Sequence, residues 1–193
     1  MPTYTTKELV KKRLQISTTG HDEYLDFLIN VATRYIDNYT ARHFARNDYL
    51  GEMVPIWPDQ AVLYLQNPPV KSVQKVEVKV GNAWQQLDPA HYEIMQEGNA
   101  EPWGLYASLP AGVNTARVDY TGGYVIDWQD PSKHELPADI TEVANEIVAA
   151  LFRRRDAAGK MREANEASSV DWAQDVLDDM HKRILDRYRR PII

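Results

Sequence analysis

The chain has 193 residues, 44% of them hydrophobic, which fits one domain or one domain with a large insertion. It contains no cysteine, which excludes disulfides, thiolate nucleophiles and cysteine-ligated metals. The formal net charge of −6 argues against a protein that coats DNA, because such proteins are usually basic. No apolar run approaches the roughly 20 residues of a membrane helix, and the N-terminus lacks a signal-peptide pattern. We therefore expect a soluble protein that is made in a cytoplasm and has no membrane partner.

Two helices are predicted at the N-terminus. Thr5, followed three residues later by Glu8, matches a capping box and predicts a short first helix. A longer second helix is predicted from about His21 to Tyr39, because apolar residues recur there at steps of three and four. These apolar residues are Leu25, Leu28, Ile29, Ala32, Ile36 and Tyr39.

From about Asp48 the sequence has the pattern of strands and turns, and its prolines exclude long helices. Val76, Val78 and Val80 alternate with charged residues, as in a half-buried strand. Other short strands are predicted at residues 62–65, 84–87, 92–95, 103–109 and 117–120. Strands at this spacing, with turns between them, predict an antiparallel meander or a small barrel-like sheet.

Two further helices are predicted at the C-terminus. The third helix begins near Asp139, a plausible N-cap, and has the strongest apolar face of the chain. That face contains Ile140, Val143, Ala144, Ile147, Val148 and Leu151. The last helix is predicted to begin at Ser168 or Ser169 and to continue until Pro191, with acids at its start and bases at its end, as the helix dipole favours.

These elements predict an α+β fold in which helices from both ends of the chain form one bundle. We place the helical bundle at residues 1–46 and 136–193, and an inserted small antiparallel β domain at residues 47–135. Such an arrangement suits assembly better than catalysis. We find no phosphate-binding loop, nucleophile elbow or short pair of metal-binding histidines, so we expect no enzyme and no cofactor.

Four features have two interpretations. His21 next to Asp22 and Glu23 has the residue types of a metal site, but acids in a first helical turn also match the helix dipole, and we prefer this explanation. The tryptophans of the β segment and the loop after it can anchor neighbouring subunits or fill the sheet's own core. They are Trp57, Trp84, Trp103 and Trp128.

The other two features lie near the C-terminus. Arg153, Arg154 and Arg155 can contact phosphate, although bases at a helix end more often complement the helix dipole. Pro191 stops the last helix and leaves Ile192 and Ile193, which form either a frayed end or an anchor that docks on a partner.

An ordered set of short phrases resembles the tailed-bacteriophage head–tail connector family, also called adaptor or head-completion proteins. The first phrases are Thr6–Leu14 and Asp22–Ile29, and the second helix closes with Tyr39-Thr40-Ala41-Arg42-His43-Phe44. Later phrases are Leu65–Val73, Tyr92–Ile94, Val118–Tyr124 and Leu136–Ile140. The region from Arg153 to Ala167 and the final helix depart from the family, in which they are much more variable.

The resemblance implies a structural virion protein that forms a ring, commonly of twelve copies, beneath the portal protein and joins the DNA-filled capsid to the tail. Its implied partners are the portal, neighbouring copies, a tail or stopper protein, and double-stranded DNA that passes without sequence recognition. It implies a location at the head–tail interface of the virion, after assembly in the host cytoplasm. The candidates for portal contact are Tyr188, Arg189, Arg190, Pro191, Ile192 and Ile193.

A second hypothesis is a DNA-packaging accessory protein that binds nucleic acid through Arg153, Arg154, Arg155 and the basic end of the last helix. It predicts duplex binding that weakens steeply with salt. A third, a hydrolase on the β segment, has no motif in its support.

Overall fold

The computed structural model describes residues 2–57, 61–95, 101–160 and 178–189. The chain divides into two compact units. The first, the helical unit, comprises the residues up to Ala41 together with those from Ile126 onward. The second, the β unit, comprises Arg42–Val125. The described helices and antiparallel sheets confirm the predicted α+β class.

The helical unit contains four described helices. They are α1 (Lys7–Leu14), α2 (Asp22–Thr40), α3 (Ala138–Lys160) and α4 (Asp179–Asp186). Helix α3 packs against α1, α2 and α4. Its predicted apolar residues are buried except Leu151, which is half-buried. The residues of α2 with the predicted spacing are also buried, apart from the half-buried Tyr39.

The start of α1 differs from its prediction by one residue. Thr6, not Thr5, is the N-cap, and its hydroxyl accepts a hydrogen bond from the Leu9 N–H at 3.3 Å. Thr5 is buried, and its hydroxyl donates to the side-chain oxygen of Asn145 in α3. This contact, between residues 140 positions apart in sequence, places Thr5 in the core, so its neighbour Thr6 caps the helix.

Only the end of the predicted last helix lies among the described residues. Asp178 is the N-cap of α4, and its carboxylate accepts a hydrogen bond from the His181 N–H at 2.8 Å. The predicted start at Ser168 or Ser169 lies outside the described residues, as do residues 190–193. Leu185 of α4 is buried.

The described strands of the β unit form two antiparallel sheets. The strands are β1 (Asn47–Pro55), β2 (Val62–Tyr64), β3 (Val70–Val80), β4 (Ala83–Gln86), β5 (Tyr92–Ile94), β6 (Gly104–Ala107) and β7 (Thr115–Gly122). One sheet has the order β1-β7-β3-β4, and the other has the order β2-β6-β5. Residues of both sheets contribute to one hydrophobic cluster, which includes Val54, Leu63, Val76, Leu105 and Val118. Two small sheets thus share one core.

Strand β1 was missed by the sequence analysis. It pairs with β7, but the register shifts between Tyr49 and Glu52, where Gly51 has a φ of 67°. A bulge of this kind interrupts the alternation of inward and outward side chains. The period of two that marks the other strands is therefore absent from β1.

Candidate functional site

Arg42 is the centre of a buried cluster in the β unit. Its side chain is only 3% exposed, and its guanidinium donates a hydrogen bond to the Pro68 carbonyl. The guanidinium carbon lies 4.4 Å from the ring centroid of Phe44, 5.4 Å from that of Trp103 and 5.9 Å from that of Tyr124. Aromatic faces attract a cation, so these rings compensate for part of the hydration that Arg42 loses on burial.

A chain of hydrogen bonds joins the same region to strand β7. The buried Tyr120 hydroxyl donates to the Glu52 carboxylate at 2.6 Å and accepts from the Asn67 N–H at 3.1 Å. The Asn67 side-chain oxygen accepts from the His43 N–H at 2.7 Å. Burial, reinforced by the hydrogen bond to Glu52, raises the pKa of Tyr120 far above its ordinary value. The phenol is therefore a fixed, neutral donor.

Two glycines allow the backbone to close tightly at this place. A Cβ on Gly122 would lie 2.2 Å from the Asn67 carbonyl oxygen. Gly123 has a φ of 93°, and a Cβ there would lie 2.7 Å from the Ala45 carbonyl oxygen. The next residue, Tyr124, donates its N–H to the Phe44 carbonyl at 2.7 Å. Only glycine fits both positions without displacing the backbone.

We call Arg42, Phe44, Asn67, Tyr120 and Tyr124 the Arg42 cluster. Its members come from three of the phrases that carry the family resemblance, which are Tyr39–Phe44, Leu65–Val73 and Val118–Tyr124. The structure brings these phrases together, although they are far apart in sequence. Their residue types are explained by packing and hydrogen bonding within the β unit, with no ligand required.

The described part of the predicted portal-binding segment contacts the helical unit. The Tyr188 hydroxyl donates to the Asp139 carboxylate at 2.8 Å, and Arg187 lies 3.0 Å from the other oxygen of that carboxylate. Arg189 forms an ion pair with Asp186 at 3.5 Å. Arg190, Pro191, Ile192 and Ile193 lie outside the described residues. The segment thus begins from an anchored helix end.

The three arginines that were predicted as candidates for phosphate contact are the last residues of α3 whose side chains are described, and they differ in exposure. Arg153 is exposed, whereas Arg154 and Arg155 are half-buried. Arg153 and Arg155 line a cleft of about 400 Å³, and Arg154 is not among its lining residues. We call this the arginine cleft, and its lining residues are Leu14, Gln15, Ile16, Ser17, Thr18, His21, Phe152, Arg153 and Arg155.

The four tryptophans of the β segment and the loop after it have different environments. Trp103 belongs with the rings around Arg42, the guanidinium of Arg117 lies 4.8 Å from the Trp84 ring, and Trp128 donates its indole N–H to the Thr3 carbonyl at 3.1 Å. These three therefore have partners within their own unit. Trp57 is 61% exposed, which keeps the interface interpretation open for this residue.

Several exposed apolar side chains were missed by the sequence analysis. Phe27 of α2 is 61% exposed and stacks on Tyr24, and Leu50 of β1 is 81% exposed. Met53 and Tyr35 are exposed as well. Phe27 and Tyr35 of α2 do not belong to the predicted apolar face of that helix. An aromatic residue off that face was the signal in the sequence that could have indicated their exposure. Exposed aromatic and methionine side chains are typical of assembly surfaces.

The described residues contain no group of three or more histidines, aspartates and glutamates that could hold a metal ion.

Another cleft, of about 520 Å³ in the β unit, is lined by His91, Glu93, Tyr106 and Ser108 among other residues. None of the helices in the described ranges is long and apolar enough to cross a membrane.

The class that emerges is an α+β protein with tightly packed internal clusters and exposed apolar side chains. Residues 6–98 match the family of phage gp6-like head-tail connector proteins. This match confirms the resemblance recognised from the sequence, and the matched family is a structural family and not a class of enzymes. No curated protein matches the chain.

Similar folds occur in solved particle structures. A chain from the neck of an empty gene transfer agent particle, computed with C6 symmetry, matches with a TM-score of 0.53 and 18% identity, covering 96% of this chain and 89% of that chain. A chain from the virion of the native particle matches with a TM-score of 0.52 and 18% identity over the same shares of both chains. A chain from the native neck, computed with C12 symmetry, matches with a TM-score of 0.50 and 18% identity, covering 88% of this chain and 84% of that chain. At this identity the similarity shows the fold.

Proposed function

We propose that the protein is a structural component of a virion neck, where it forms a ring beneath the portal and joins the DNA-filled capsid to the tail. The observation that carries this proposal is the match of residues 6–98 to the head–tail connector family. The similar folds in necks computed with C6 and C12 symmetry support a ring of repeated copies. A ring of twelve copies at the head–tail interface, assembled in the host cytoplasm, is the form that we propose.

The two parts of the chain have separate tasks in this proposal. The helical bundle, placed at residues 1–46 and 136–193, builds the ring and contacts the portal. The inserted β domain, placed at residues 47–135, projects outward or contacts the tail or stopper protein. DNA passes through the ring without sequence recognition. Exposed apolar side chains such as Phe27, Leu50 and Trp57 support the assembly role, because such side chains gain free energy when a partner covers them.

The segment from Tyr188 to Ile193 is the proposed portal contact. Its described start is anchored through the hydrogen bond between Tyr188 and Asp139. A deletion of Arg190–Ile193 should leave the fold intact, because it removes nothing that this hydrogen bond needs, and it should weaken attachment to the portal. Circular dichroism would check the fold, and co-purification with the portal would check the attachment. Unchanged attachment would show that the end of the chain makes no contact.

The test of the whole proposal is co-expression with the portal protein of the same phage, followed by the mass of the purified complex. We expect a portal ring that carries about as many copies of this chain as of the portal. Free monomer beside a bare portal would contradict a position directly beneath the portal. Normal tailed, infectious particles after deletion of the gene would contradict the connector role altogether.

A further inference from the structure

The end of α4 is held by side chains from three helices of the helical unit. The Tyr188 hydroxyl donates to the carboxylate of Asp139 in α3 at 2.8 Å, and the hydroxyl of Tyr39 in α2 donates to the carboxylate of Asp186 in α4 at 2.9 Å. We call Tyr39, Asp139 and Asp186 the C-terminal anchor. We propose that the anchor is a positioning site, which fixes the point where the chain leaves α4 and so presents the segment Tyr188–Ile193 to the portal. The target of the segment rests on the proposed function, whereas the anchoring itself does not.

Each of the last three described residues contacts one of the two carboxylates of the anchor. The Arg187 guanidinium lies 3.0 Å from the Asp139 carboxylate, which also accepts the hydrogen bond from Tyr188. The Arg189 guanidinium lies 3.5 Å from the Asp186 carboxylate. Contacts to two separate helices restrict rotation of the chain more than contacts to one helix would. A segment that begins from a fixed point loses less conformational entropy when it binds, so the anchor should strengthen attachment to the portal.

Tyr39 contacts both charged residues at the end of α4. Its hydroxyl donates to Asp186, and the guanidinium carbon of Arg189 lies 5.5 Å from the centroid of its ring. Burial, together with the hydrogen bond to Asp186, raises the pKa of Tyr39 above its ordinary value, so the phenol keeps its proton at neutral pH. One side chain of α2 thus binds the acid through its hydroxyl and attracts the base through its ring.

The exposure of the two ion pairs separates positioning from overall stability. The side chain of Arg187 is 66% exposed and that of Arg189 is 50% exposed. Exposed ion pairs contribute little to the free energy of unfolding of a whole protein. The helical unit depends instead on buried apolar residues such as Ile140 and Ile147 of α3. Loss of the anchor should therefore release the end of α4 while the rest of the unit stays folded.

The first test needs no portal and uses the full chain. Limited digestion with trypsin, followed by mass spectrometry, measures the rate of cleavage after Arg187. Asp139→Asn and Tyr39→Phe should each raise this rate about threefold to tenfold, because a protease requires an extended segment and the anchor opposes local opening of the chain. Equal rates in the parent protein and in both variants would overturn the proposal.

Two control variants make this digestion specific. Tyr35→Phe removes the hydroxyl of an exposed tyrosine of α2, and R34A removes an exposed arginine of the same helix. Both should be cleaved after Arg187 at the rate of the parent protein. The melting temperatures of the anchor variants Asp139→Asn and Tyr39→Phe should fall by no more than about 3 °C. Equal acceleration in the control variants, or a much larger fall in melting temperature, would mean general destabilisation and would contradict a positioning role.

The second test asks whether the anchor acts through the segment that follows it. The affinity for the portal protein is measured for the parent protein, Asp139→Asn, the deletion of Arg190–Ile193, and the two changes combined. Asp139→Asn should weaken attachment of the full chain about fivefold and should have no further effect once the segment is deleted. Losses that add in the combined variant would mean that Asp139 acts elsewhere, which would overturn the positioning role.

The two tests also distinguish this inference from the proposed function. R34A should bind the portal as the parent protein does, because it alters no residue of the anchor. A parent protein that does not bind the portal would refute the proposed portal contact, and the positioning of the segment for that contact would fail with it. The rates of cleavage after Arg187 would then still decide whether the three anchor residues hold the end of α4.

Discussion

The Arg42 cluster and the arginine cleft both contain arginines beside aromatic rings, but the arginines of the two places differ in burial. Arg42 is 3% exposed and contacts a backbone carbonyl and three rings, whereas Arg153 is exposed. The first arrangement is complete within the β unit, and the second borders an open space. The phrases that resemble the connector family meet at the Arg42 cluster, so they mark how the unit is built. Arg153 and Arg155 of the arginine cleft lie in a region where the family resemblance is weak.

The largest effect is expected from Gly122→Ala, because the new methyl group would lie 2.2 Å from a backbone oxygen that cannot move freely. We expect a loss of about 3 kcal/mol in the free energy of unfolding, measured by urea denaturation. Gly20→Ala is the matched control, since its Cβ would meet nothing within 4 Å. Similar losses in both variants would mean that the Arg42 region is no more tightly packed than a surface turn.

Arg42→Met should cost about 2–3 kcal/mol of unfolding free energy. The variant keeps much of the side-chain length but leaves the Pro68 carbonyl without this donor and removes the cation from the rings. Arg42→Lys should also be less stable than the parent, because an ammonium group lacks the flat surface that stacks on Phe44. Urea denaturation of both variants, with R34A as control, checks this. A fully stable Arg42→Met variant would refute the role assigned to the cation.

Tyr120→Phe should cost about 1–2 kcal/mol at neutral pH, because Glu52 and the Asn67 N–H lose a buried partner. The pKa of Tyr120 is raised on folding, so its contribution to stability is fully present below the unfolded value near 10 and is lost as the pH rises above it. The parent should therefore lose more stability than Tyr120→Phe between neutral pH and pH above 10. Urea denaturation at both pH values measures this, and identical pH profiles would contradict it.

The smallest effect is expected at the arginine cleft. Arg153→Ala should change the free energy of unfolding by no more than about 0.5 kcal/mol, because the side chain is exposed. Thermal unfolding of Arg153→Ala measures this change, and Arg34→Ala, which alters an exposed arginine of α2, is the control. A loss as large as that of Arg42→Met would remove the contrast between the two arginine sites.

The elements that follow a regular period were predictable, and the exceptions have physical causes. The spacing of Ile140, Val143 and Ile147 indicated the central helix correctly. Strand β1 was not predicted, because the bulge at Gly51 breaks the alternation of inward and outward side chains. Thr5 and Thr6 have the same capping chemistry, and only the contact with Asn145 decides between them.

The sites were less predictable than the elements. The run of three arginines drew attention to Arg153 and Arg155, but their neighbours Ser17, Thr18 and His21 come from the other end of the chain. Burial of Arg42 could not be predicted, because arginine is usually exposed and the rings that cover it come from separate segments. The spacing of apolar residues indicates which face of a single helix or strand is buried. A site depends in addition on which elements contact one another in the fold, and the spacing does not show this.

The discontinuity of the helical unit has a consequence for synthesis on the ribosome. Helices α1 and α2 emerge first, but their packing partner α3 begins only at Ala138. The β unit, a continuous stretch from Arg42 to Val125, is complete before that partner has been translated. We therefore expect the strands to fold while the N-terminal helices still expose their apolar faces, so that the nascent chain passes through a stage open to chaperone binding.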